Sequence, residues 1–195
     1  MRRVVVTGLG TINPLGNNVN SSWNSLIESK SGISKIAKFN VDNYPCKIAG
    51  SIEDSQINDK IVSIREQRKI DRFITLGLIA ADEAIKDSGL SPEEVSNPKT
   101  GLIAGSGGPS TINLLQSFDI AREKGPKRVG PFMVPRCMSS SVSACIATFF
   151  KIKGINFSIT SACSTSAHCI GIGADQIRYG NQNIVFAGGG EELDW

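Results

Sequence analysis

Short apolar runs and stretches of helical period take turns along this chain, and that alternation limits its architecture more than any other feature. Residues 4–6 (Val-Val-Val), ahead of Thr7-Gly8-Leu9-Gly10, read as a buried strand running into a turn. Residues 100–104 read as a second strand, ending in the loop Gly105-Ser106-Gly107-Gly108-Pro109. Residues 155–160 alternate apolar and polar, as a half-buried strand does, and 183–187 form one more short apolar run. Strands separated by helices imply an α/β fold with a mostly parallel sheet flanked by helices. At 195 residues, 40% apolar and 20% charged, the chain suits one domain, 1–195, with its own core.

The intervening segments carry helix signals. Residues 21–30 suit a short helix, and 31–60, punctuated by Gly32, Pro45 and Gly50, read as loop. Ser63-Ile64-Arg65-Glu66 matches a capping box. Ile70, Phe73, Ile74, Gly77, Leu78, Ala81 and Ile85 then recur at helical spacing, and Gly89 is placed to end that helix. Ser91 followed by Pro92 starts another helix. Further helices are expected over 111–124, 138–151 and from Cys163 to about residue 179. The ending, AGGGEELDW, halts where such a fold would continue, so the sequence reads as a piece of a longer protein.

Several chemistries are disfavoured. The third glycine of a dinucleotide fingerprint opened by Gly8 and Gly10 would fall at Asn13, with Pro14 next and no helix N-terminus for a pyrophosphate. No Gly-Lys-Ser/Thr triplet exists for a P-loop. At about 100° per residue, His168 and Cys169 lie roughly 140° and 240° around a helix from Cys163, so the three do not converge on one metal ion. No apolar run is long enough to span a bilayer, and the start lacks the apolar region of a signal peptide. Five cysteines without framework spacing fit reduced thiols in a cytoplasmic protein. A net charge of +3 is too mild to argue for nucleic acid.

Cys163 stands apart. A free cysteine is ordinarily a small buried hydrophobe, and Cys46, Cys137, Cys145 and Cys169 are read so. Cys163, however, sits between a strand and a helix N-terminus, where unpaired N–H groups and the helix dipole favour a thiolate and can stabilise an oxyanion. Its neighbours Ser161, Ala162, Ser164, Thr165, Ser166 and Ala167 are all small. Gly171 and Gly173 each cost a helix up to about 1 kcal/mol, which makes sense if the helix is packed backbone-close on both sides. The second constellation is basic. Arg65, Arg68, Lys69 and Arg72 fall within about 100° of one helix face, in the first turns where cations oppose the dipole. That placement suggests an anionic partner, and Lys124, Lys127 and Arg128 extend the surface.

The stretch SITSACSTSAHCIGIGADQI, with VVVTGLG at the start, LIAGSGG in the middle and IVFAGGGEELDW at the end, resembles the elongating β-ketoacyl-acyl carrier protein synthases. PFMVPRCMSSSVSACIATFF is closest to their type I branch, whereas EQRKIDRF is similar to type II. The resemblance implies the N-terminal half of a thiolase-like fold, a homodimer and no cofactor. It implies that an acyl group moves from acyl carrier protein to Cys163. Malonyl-carrier protein then loses carbon dioxide, and its carbanion attacks the thioester to give a 3-oxoacyl product.

The resemblance also assigns carrier docking to Arg65, Arg68, Lys69, Lys127 and Arg128. It assigns the acyl pocket to Gly107 and Gly108 of the same subunit together with the partner subunit's Met138, and has residues 155–160 pair with their twin across the dimer axis. Family members are about twice this long, and the two histidines and lysine needed for decarboxylation lie in their second half. His168 matches neither histidine, so these 195 residues alone are not expected to run the condensation. A polyketide-type ketosynthase, or a non-catalytic carrier-binding or dimerisation subunit, are the competing readings.

Overall fold

The computed structural model describes residues 1–57, 61–108 and 110–192. Pro109 of the glycine loop, residues 58–60 and the terminal 193–195 lie outside the described residues. Asn18 starts the first helix, α1 (Val19–Ile27), by accepting from Ser21 N, while Ser21 answers Asn18 N to complete a capping box. The stretch expected as loop instead holds an antiparallel hairpin, β1 (Ile33–Lys35) with β2 (Ile48–Gly50), and a 3-10 turn at Asp54–Gln56. Three-residue strands leave too short a pattern to register as a period.

The capping box at Ser63 is present but opens only a four-residue helix, α2 (Ile64–Gln67). The long helix is separate: α3 runs Arg72–Ser88 and ends at Gly89, with φ 69°. Asp71 makes the break. Its backbone is extended, one carboxylate oxygen caps Phe73 N at 3.3 Å, and the other accepts from Asn113 Nδ2. Asp71 is itself a preferred cap residue, and it is buried. The basic stripe therefore does not share one helix.

Ser91 caps α4 (Pro92–Val95), which leads into β3 (Thr100–Gly105), buried at every position. β3 pairs in parallel with β4 (Asn156–Phe157) on one edge and β5 (Ile184–Gly189) on the other. The parallel sheet flanked by helices is as expected. The strand at residues 4–6 is not: among the described residues it joins no ladder. Its continuation lies along α3 instead. Leu9 N donates to Asp87 Oδ2 at 2.8 Å and Thr11 N to Glu83 Oε2 at 2.9 Å, so carboxylates replace a neighbouring strand. A Cβ on Gly8 would meet Ala84 O at 2.4 Å, and one on Gly10 Ala80 O at 1.9 Å. The two glycines serve this close approach rather than a nucleotide.

The remaining helices are α5 (Thr111–Lys124), α6 (Met133–Cys137), α7 (Ser141–Phe149) and α8 (Thr165–Arg178), with a 3-10 turn at Pro126–Arg128. The helix expected from 138 starts three residues later, because Met138 is extended (φ −87°, ψ 125°). The serines around it favour local bonds over helix, and Ser143 Oγ donates back to Ser140 O. Only two residues of 155–160 form a strand, and both are exposed, so the expected alternation of burial is absent.

Alternate residues of β5 face opposite layers. Phe186 packs with Leu102 and Ala104 against Phe73, Ile74 and Leu78 of α3 and Val142, Ile146 and Ala147 of α7. Val185 and Ala187 face Gly173 of α8. Helix α8 buries the stripe Thr165, Cys169 and Gly173, one residue per turn. Gly173 is thus backbone-close to the sheet as predicted, but a Cβ on Gly171 would meet nothing within 4 Å, and Gly171 is exposed. The helix is tightly packed on one side only.

Candidate active site

The turn between β4 and α8 presents Cys163. Ala162 has φ 50°, a left-handed conformation that costs a non-glycine residue about 1–2 kcal/mol. Thr165 offsets that strain. Its Oγ1 accepts from Ser161 N at 2.9 Å and donates to Ala162 O at 2.8 Å, closing the turn from inside. Ser164 N–H to Ser161 O and Thr165 N–H to Ala162 O tighten it further. Two amides at the start of α8 are therefore used within the turn and are not free to receive an oxyanion. Ser164, the cap position, gives no side-chain cap.

Cys163 is exposed, on the outside of this strained turn. The other thiols differ in kind. Burial pushes the Cys169 and Cys145 thiols up, and does the same to Cys137, where the Ser117 hydroxyl partly offsets it. At Cys169 the nearby backbone of Ile159 partly opposes the effect of burial. Cys46 is exposed, with its thiol donating to Ile48 O at 3.3 Å, so it is not the buried thiol expected. His168, the chain's single histidine, holds Ser161 Oγ through Nδ1 at 2.6 Å. Cys163, exposed, and Cys169, buried on α8, do not share a site.

Behind the turn stands the loop that follows β3. A Cβ on Gly105 would lie 1.9 Å from Ile159 O, and one on Gly107 2.9 Å from Ala162 O. A Cβ on Gly108, by contrast, would meet nothing within 4 Å. Gly107 thus walls the cysteine turn, while the space a Gly108 side chain would fill is open. Glu191, which sequence reasoning passed over, holds this loop: its carboxylate accepts from Gly107 N and faces Ser106 Oγ at 3.3 Å. Met138 is exposed in the α6–α7 link, whose next residue, Ser139, lies 3.3 Å from Thr160 Oγ1 just upstream of the turn.

The basic residues fall into two groups. Arg65 and Arg68 are exposed and Lys69 half-buried, all just before Asp71. Lys127 and Arg128 are exposed beyond the far end of α5. Asn113, near the start of α5, bonds Asp71, so the first group lies beside one end of this 14-residue helix, about 20 Å long, and the second follows its other end. Arg72 is no part of either. It pairs with Glu192 at 3.0 Å and with Asp54, and donates to Ile52 O. That leaves its placement at a helix start explained by Glu192 rather than by a partner.

The beta-ketoacyl synthase N-terminal domain matches residues 1–193. The chain belongs to the β-ketoacyl synthase family. Across its whole length it is 44% identical to 3-oxoacyl-[acyl-carrier-protein] synthase 1 of Haemophilus influenzae and, equally, of Escherichia coli K12. It covers 48% of each, so the chain spans about half the length of the curated relatives it matches. A crystal structure of a beta-ketoacyl synthase from Burkholderia phymatum superposes with a TM-score of 0.80 at 22% identity, over all of this chain and 48% of that one. The likeness establishes a ketosynthase, thiolase-like fold. Among the described residues no helix is long and apolar enough to cross a membrane.

Proposed function

We propose that this β-ketoacyl synthase chain carries the acyl-accepting step of fatty-acid elongation, with Cys163 as nucleophile. The observation that carries the reading is the exposed thiol on a strained, internally bonded turn at the mouth of α8. The Cys163 sulfur attacks the carbonyl carbon of an acyl-carrier thioester. The carrier thiol leaves with a proton, and the acyl group stays on Cys163. In the second half-reaction a malonyl-carrier thioester loses carbon dioxide, and its carbanion displaces the Cys163 sulfur to form the 3-oxoacyl product. The 195 residues hold one histidine, already engaged with Ser161, so decarboxylation depends on residues beyond them.

Gly107 is assigned to the wall of the acyl site, supported by its contact with Ala162; Gly108 of the same subunit borders it, as does the partner subunit's Met138. Arg65, Arg68, Lys69, Lys127 and Arg128 dock the acidic carrier protein, as two separate patches. The protein is proposed to be a homodimer, pairing across the free edge of β4, and to work in the cytoplasm. Cys163 argues against a non-catalytic carrier-binding subunit.

The test is incubation of the intact protein with an acyl-carrier thioester, then proteolysis and mass spectrometry. Acyl mass on the Cys163 peptide alone, lost in Cys163→Ser, is the expected result. Label spread over all five cysteines would overturn the assignment.

A further inference from the structure

We infer that Glu191 is a positioning residue for the Cys163 turn, a role that rests on the acyl-accepting function proposed above. Glu191 follows the strand end Gly189-Gly190 and reaches from there to the β3–α5 loop. One carboxylate oxygen accepts from Gly107 N and the other faces Ser106 Oγ. Ser106 is 2% exposed and its hydroxyl donates to Gly108 O at 2.9 Å, so the loop's own fold depends on the residue Glu191 faces. Gly107 in turn abuts the carbonyl of Ala162, the left-handed residue directly before Cys163. A second close contact runs in parallel: a Cβ on Gly189 would lie 2.6 Å from Gly105 O and 2.7 Å from Ser166 Oγ. The strand end that bears Glu191 is thus pressed against both the loop and the first turn of α8.

Strain at Ala162 persists only while its surroundings prevent relaxation. Thr165 supplies that constraint from inside the turn, and the Gly107 backbone supplies it from outside. Glu191 is what holds Gly107 there. The bonds matter, not the charge: a glutamine would keep an oxygen for Gly107 N, and its amide could donate to Ser106 Oγ while that hydroxyl still donates to Gly108 O.

The experiment uses the intact protein, with Glu191→Ala and Glu191→Gln variants and two readouts. The first is amide hydrogen exchange of peptides spanning the 161–164 turn, with α7 as internal reference. The second is the rate of acyl uptake on Cys163 from an acyl-carrier donor. Glu191→Ala is expected to speed exchange in the turn and slow uptake, each by about tenfold, as loss of one bond to a charged acceptor implies. Exchange in α7 stays unchanged, and Glu191→Gln restores both to near wild type. Unchanged exchange in the turn overturns the tether; faster exchange with unchanged uptake overturns the positioning role. A glutamine variant as impaired as alanine also overturns the argument from bonds. A wild-type protein that takes no acyl group on Cys163 overturns the proposed function instead, and the exchange readout still decides the tether. Should the alanine variant fail to fold, Glu191→Asp, one methylene short of Gly107, carries the same expectation.

Discussion

Two adjacent glycines offer a sharp comparison at the site. Gly107→Ala would place a Cβ 2.9 Å from Ala162 O, 3.0 Å from Ala162 C and 3.1 Å from Glu191 Oε1. Ordinary contact begins at 3.4 Å, so the new methyl is up to half an ångström too close. Two of the three atoms belong to backbone, and that backbone is already in a left-handed turn locked by Thr165. Overpacking of this kind costs about 1–3 kcal/mol. In a chain of this size that lowers the melting midpoint by about 3–10 °C. Displacing Ala162 also displaces Cys163, and a fraction of an ångström there is expected to slow acyl uptake by roughly tenfold. Gly108→Ala meets nothing within 4 Å. It should leave the midpoint level or slightly raised, since alanine restricts the unfolded chain. The assays are a thermal melt and the acyl-uptake rate, measured side by side on the intact protein. If the two variants behave alike, Gly107 does not wall the cysteine turn and the reasoning fails.

Three other outcomes follow from the same structure. Glu192, whose side chain is 6% exposed, pairs with Arg72 and Lys38, so Glu192→Ala should cost about 1.5–3 kcal/mol by leaving the part-buried Arg72 guanidinium only Asp54 and Ile52 O; a melting midpoint within about 2 °C of wild type would refute this. The thiols of Cys145 and Cys169 are pushed up by burial, so they stay protonated in the fold where the unfolded chain ionises. Stability should therefore fall as pH rises above about 8.5, with both thiols labelled more slowly than Cys163, and urea melts against pH would show whether it does. Reversing Arg68 and Lys69 to Glu, or Lys127 and Arg128 to Glu, should each weaken carrier binding in a salt-dependent way; because α5 separates the pairs, their effects should add, and strong non-additivity in titration calorimetry would contradict two separate patches.

What could be read in advance depended on the range of the forces involved. The capping box at Ser63, the helix start at Ser91 and the stop at Gly89 are local, and the structure contains all three. The core stripe of α3 and the run of β3 were legible because burial imposes a period. The Asp71 break was not, since α2 and α3 continue one apolar pattern, and the bond to Asn113, 42 residues away, leaves no mark in the local spacing. Residues 4–6 have a strand's composition, yet composition does not supply a ladder partner. At the site, the small residues around Cys163 were visible, and so was the junction with a helix. Thr165, Glu191 and the Ser161–His168 bond were not, because each acts through a contact the linear spacing conceals. Arg72 shows the reverse error: a cation at a helix start looked unpaid for until Glu192, 120 residues on, came beside it.

The segment around Gly8 and Gly10 has two unlike sides. Towards α3 it presents bare backbone at the two glycines, pressed onto Ala84 and Ala80, while Leu9 between them remains 55% exposed. Residues with and without a Cβ therefore alternate against a rigid rail, like the teeth of a zip. Inserting one residue between Thr7 and Gly10 would bring a side chain where only hydrogen fits and uncouple Leu9 from Asp87 and Thr11 from Glu83 together. A stretch that looks like a free arm in outline is consequently among the least extensible parts of the chain.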